Sequence, residues 1–146
     1  MYKLTLKYGI IKLWSNSINY QYFNMTDNFN YEVKNLQSIE EISVIFLSGE
    51  ITENSKDKVE KMFSDILNNK INNIILNLKD VEYMNSFVVG LFFSWNEKIN
   101  QAEKKILVCK APDHIFETIN MVGLTIVMQY FPTLDEACLF FDKPLI

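Results

Sequence analysis

The sequence contains no arginine; all 14 of its basic residues are lysine. Arginine's planar fork is what clamps phosphates and carboxylates through paired hydrogen bonds. Its absence argues against a dedicated nucleotide or nucleic-acid site. The lysines form no stripe of the kind that follows a phosphate backbone, and neither a P-loop nor a GxGxxG run occurs. Histidine and cysteine are almost as scarce. Cys109 and Cys138 stand far apart in no CxxC pair, and His114 is the single histidine. A structural zinc needs about four such ligands, so no metal and no cofactor is expected, and both cysteines read as reduced, buried thiols. No apolar run approaches the roughly 20 residues that cross a bilayer. The N-terminus also lacks the apolar core and small-residue cleavage pattern of a secretion signal. No membrane insertion is expected, and the cytoplasm is the expected compartment.

What is present is apolar. Hydrophobic residues make up 49% of the 146, which excludes a disordered chain and suits one domain with a core of its own. Charge divides the chain in two. Residues 1–24 hold three lysines and no acids, whereas residues 25–146 hold 11 lysines against 18 acids, a net charge of −7. In the first stretch Tyr2, Leu4, Leu6 and Tyr8 alternate like a strand before Gly9. Met25-Thr26-Asp27 reads like a natural start. Residues 1–24 are therefore expected to be a leader, either an appendage or an upstream extension, attached to a domain spanning 25–146.

Within that domain strands and helices alternate. Residues 29–36 and 42–49 (ISVIFLSG) read as strands. Val59, Met62, Phe63, Ile66 and Leu67 then recur at helical spacing, with Thr52, Asn54 or Ser55 as candidate caps. NNIILNL (72–78) suits a buried parallel strand. A second helix carries Val88, Leu91, Phe92, Trp95, Ile99 and Ala102 on one face. KKILVCK (104–110) is the next strand. A helix follows over 113–122, with Ile115, Ile119 and Val122 inward and Gly123 as its stop. TIVMQYF (125–131) reads as a strand, and Thr133-x-x-Glu136 opens a last helix with the spacing of a capping box. The order ββαβαβαβα predicts an α/β domain with about four helices and a mixed, mostly parallel sheet with one antiparallel strand.

In such sheets the loops leaving the carboxyl ends of parallel strands gather at one rim, where ligands bind. Those loops are GEITENS, KDVEYMNS and KAPDH. Ser86 falls on that rim, with Asn85 as the cap of the second helix and the hydroxyl near its unsatisfied N–H groups. A helix start accepts added negative charge, so three readings are open: a phosphate acceptor, a nucleophile, or an ordinary helix-start serine. The nucleophile reading is the weakest. A nucleophilic elbow needs small neighbours, and Met84, Asn85, Phe87 and Val88 are not small. His114 is the one candidate base, so an enzyme is not expected. Phe93 is predicted to point largely away from the core and Phe87 to lie at its margin; they are either exposed aromatics suited to protein contacts or rings covered by the 113–122 helix or by the leader. Glu50, Glu53 and Asp80 could steer a basic partner, or simply be a solvated loop.

LSGEIT, then NNIILNLKDVEYMNS, then ILVCKAPDHIFETINMVGL resemble a STAS domain, the fold of bacterial anti-sigma factor antagonists, over about residues 29–141. The resemblance implies a regulatory binding module. In that family a strand ends in Met-Asp-Ser-Ser/Thr-Gly-Leu, and the serine after the aspartate is phosphorylated by an anti-sigma factor that is also a serine kinase. Ser86 matches that serine, while Asn85, Phe87 and Val88 replace the acid, the second hydroxyl residue and the glycine. Thr52 stands where an aspartate is frequent. The implied partners are the anti-sigma factor/serine kinase and a serine phosphatase. Taken together with the rim reading above, the expected contact residues are Asn85, Ser86, Phe87, Glu50, Thr52, Asp80 and Phe93. The alternative is a non-phosphorylated STAS scaffold subunit within a larger signalling or lipid-transport assembly.

Overall fold

The computed structural model describes residues 28–36 and 41–142; the leader expected over residues 1–24 lies outside them. The β-branched run Ile42–Ile51 forms β2, and the sheet grows outward from it. β1 (Asn30–Leu36) pairs antiparallel with it, Asn30 opposite Ser48 and Leu36 opposite Ile42. β3 (Asn73–Met84) pairs parallel on the other side. β4 (Lys105–Cys109) and β5 (Tyr130–Phe131) continue the parallel arrangement, so the strands lie in sequence order. Parallel neighbours require crossovers. These are α1 (Lys56–Asn68), α2 (Ser86–Gln101), α3 (Asp113–Met121) and the one-turn α4 (Leu124–Val127), and α5 (Leu134–Phe141) follows β5. The mixed, mostly parallel α/β sheet anticipated above is the one observed.

Side-chain alternation along the strands makes two cores. On one face Ile45, Leu47, Ile74, Leu76, Leu78, Ile106 and Val108 meet Val59, Phe63, Val88, Phe92, Ile115 and Leu124 from the first four helices. On the other face Ile42, Val44, Ile75, Leu107 and Cys109 pack with Ala137 and Cys138 of α5. Both thiols are free; Cys109 is fully buried and pushed up to about 12 by that burial, and Cys138 is half-buried.

Three expectations are corrected. KDVEYM is not loop, because β3 runs on to Met84 and carries its end out to the rim. TIVMQYF is not one strand. Gly123, at φ +85, ends α3 and a further helical turn begins, placing Leu124 and Met128 inward four residues apart while Ile126 stands 84% exposed. The β-branched run mimicked a strand, but the buried pair follows the helical interval. Val122 and Ala102, expected inward, are exposed, because each is the cap where its helix stops.

Two local features hold the sheet's ends. Gly49, at φ +91, sits where β2 shifts register against β3, and a Cβ there would lie 2.0 Å from the Asn28 carbonyl oxygen. At the opposite end, the buried Lys104 ammonium donates to the Asn69 carbonyl, to the Ile71 carbonyl at 3.0 Å and to Asn72 Oδ1 at 3.0 Å. It thereby satisfies the terminal carbonyl of α1. Burial pushes this ammonium below the usual lysine range, so its three acceptors are what hold the charge there.

Gly49→Ala is expected to destabilise the domain by about 2 kcal/mol or more, because the methyl meets both a left-handed backbone and a carbonyl. Lys104→Met is expected to cost about 1–2 kcal/mol by stranding the buried Ile71 carbonyl and removing the donor that Asn69 and Asn72 share with it. Chemical denaturation measures both, and parental stability in either variant removes the corresponding argument.

Candidate functional site

The carboxyl ends of β2 and β3 lie side by side, with Ile51 in register with Met84 and Glu50 with Tyr83. Each strand passes directly into a capped turn. After β2, Thr52 closes a capping box: its hydroxyl accepts from Asn54 N at 3.2 Å, and Ser55 Oγ accepts from Thr52 N at 3.2 Å. After β3, Asn85 caps α2, its Oδ1 accepting from Val88 N at 3.1 Å. The two turns are joined. Asn85 Nδ2 donates to Glu53 Oε1 at 2.6 Å, so one side chain both starts α2 and ties it to the β2–α1 turn.

Ser86 is the first residue of α2 and is exposed. Backbone N–H groups in the first turn of a helix lack partners within it and present positive potential. α2 has no acidic residue in its first turn. The charge set beside it is the Glu53 carboxylate, which its own backbone N–H and then the Asn85 amide hold below the usual carboxylate range. Phe87 (42% exposed), the next residue of α2, and Tyr83 (48% exposed), near the end of β3, leave ring surface exposed close to Ser86 in the chain.

The structure thus gathers Asn85, Ser86, Phe87, Glu50 and Thr52 at one rim. Asp80 is elsewhere. It is opposite Ser48 and lines a polar depression with Asn28, Lys79, Glu82 and His114, about 13 Å down the strand from Met84. Phe93 also lies away from that cluster. It is half-buried against the main core, about 10 Å along α2 from Ser86, in a groove with Asn96 and Val127. The α4 turn, missing from the expected element order, supplies Val127 to that groove. Tyr83 was not anticipated, because KDVEYM read as loop; an aromatic three residues before a helix-start serine was the available signal. His114 Nε2 lies 2.8 Å from the Glu82 carbonyl oxygen, so that nitrogen is engaged by backbone. Among the described residues no group of three or more His, Cys, Asp or Glu side chains could hold a metal ion, and no helix is long and apolar enough to cross a membrane.

Comparison with known proteins agrees with this architecture. The anti-sigma-B factor antagonist of Staphylococcus aureus is 26% identical over 102 residues, covering 70% of this chain and 92% of its own. An anti-sigma factor antagonist from Mycobacterium paratuberculosis superposes with a TM-score of 0.64 at 21% identity, over 76% of this chain and 93% of that one. The antagonist SpoIIAA in its unphosphorylated form gives a TM-score of 0.61 at 19% identity, over 79% of this chain and all (100%) of that one. Its phosphorylated form gives 0.55 at 20% identity, over 75% and 99%. The family model for the STAS domain matches residues 33–137, from the middle of β1 into α5. With that span matched and the same sheet beneath it, the chain belongs to the STAS domain family.

Proposed function

We propose that this protein is an anti-sigma factor antagonist whose rim binds an anti-sigma factor acting also as a serine kinase, and that phosphorylation of Ser86 ends the complex. The observation that carries the reading is the exposed Ser86 hydroxyl at the start of α2, beside the Asn85–Glu53 bond. A phosphoryl group there would add roughly −1.5 to −2 charges near open backbone N–H groups, which the fold tolerates. A docking surface would instead meet a hydrated dianion sharing the rim with the Glu53 carboxylate. One modification therefore spares the fold and removes the complex. Curated relatives named as anti-sigma F and anti-sigma-B factor antagonists support the partner class. A serine phosphatase would reverse the modification. Phe87, standing where the family has a second hydroxyl residue, and the amide at Asn85 favour a second reading, a constitutive scaffold subunit with no switch.

Affinity capture on the full chain, with the captured kinase and ATP then added, separates the two. Mass spectrometry is expected to find phosphate on the peptide holding Ser86 and none in Ser86→Ala. Ser86→Asp is expected to weaken capture roughly tenfold or more. An unmodified Ser86, with Ser86→Asp binding like the parent, would favour the scaffold and end the switch.

A further inference from the structure

We propose that Gly90 is the point of closest approach between α2 and the anti-sigma factor, a bare stretch of helix backbone kept free of a side chain so that an apolar side chain of the partner can seat on it. The inference rests on the reading above and specifies which surface beyond Ser86 the partner occupies. Gly90 lies inside the 16-residue α2, one turn after Ser86 and therefore on the same face. It is exposed, and a Cβ built on it meets no described atom within 4 Å. Its backbone is not in the left-handed region, which among the described glycines holds only Gly49 and Gly123.

Neither packing nor conformation among the described residues therefore calls for glycine. Glycine in a helix interior is nevertheless less stable than alanine, because it gives up more backbone freedom on folding. That loss has no compensation among the described residues, and the rim position of Gly90 points to a partner as its source. The surroundings fit an apolar occupant. Phe87, one helical step of three before Gly90, is 42% exposed, and Tyr83 at the end of β3 is 48% exposed. An apolar side chain resting on the Gly90 backbone would pack against the Phe87 ring with the Ser86 hydroxyl at its border. The site is thus continuous with the rim and shares its switch. A phosphate on Ser86 would sit one turn away on the same face.

Gly90→Ala separates folding from binding because the two effects have opposite sign. The full-length variant is expected to melt about 2–4 °C higher than the parent and to bind the captured anti-sigma factor roughly tenfold more weakly or worse. Asn100→Ala, an exposed substitution near the far end of α2, is the control: it is expected to raise helix stability and leave binding unchanged. A Gly90→Ala protein that melts higher and binds like the parent overturns the inference and leaves the antagonist reading standing. A lower melting temperature also overturns it, by showing that the chain itself needs the glycine. If the parent chain captures no anti-sigma factor, the antagonist reading fails and this inference falls with it.

Discussion

The alignment of β2 against β3 governs everything at the rim. From Ile42 beside Asn73 to Ile51 beside Met84, the two strands run parallel through shifts at Phe46/Ser48 and Gly49/Glu50. Those shifts decide which residues leave the sheet together. They deliver Thr52 and Glu53 next to Asn85 and Ser86, and the 2.6 Å bond between Asn85 and Glu53 holds the two turns in that relation. A slip of one residue would turn every side chain of a strand to the other face, and the serine would then follow a different neighbour.

Local features were legible in the sequence because their causes are local. The helical spacing of Val59, Met62, Phe63 and Ile66 is buried as expected, Asn85 caps Val88, and Thr133 Oγ1 accepts from Glu136 N at 3.1 Å. Long-range features were not. Asn85 and Glu53 are 32 residues apart and meet only through strand pairing, which no local pattern encodes. The charged residues in KDVEYM concealed the outer half of β3, where Leu78, Val81 and Met84 are buried three residues apart instead of alternating, across the register shifts against β2. In Thr125-Ile126-Val127, β-branching outweighed the four-residue interval between Leu124 and Met128, and the short α4 was missed with it. For Phe93 helical geometry alone left both an exposed contact and a covered ring open, and the structure half-buries it against the main core.

The replacement of the family's acid by Asn85 is an exchange rather than a loss. A carboxylate could cap α2 equally well but has no hydrogen to donate. The amide caps through its oxygen and donates through its nitrogen, so the negative charge moves across the rim to Glu53. Glu53 is exposed, and the bonds it accepts hold its carboxyl below the usual carboxylate range. A partner approaching this rim would meet a carboxylate reached from the β2–α1 turn, and a shape set by the rings of Tyr83 and Phe87.

The Lys104 ammonium lies at the other end of the molecule from all of this. It gathers Asn69, Ile71 and Asn72 where β3 begins, and the 12 residues of β3 put about 36 Å between that anchorage and the serine. Substitutions at Ser86 or Phe87 therefore act far from the Lys104 anchorage. After gene duplication, sister copies of such a body could diverge in the regulator each addresses while inheriting the same foundation, and separate signalling circuits could arise without the architecture being reinvented.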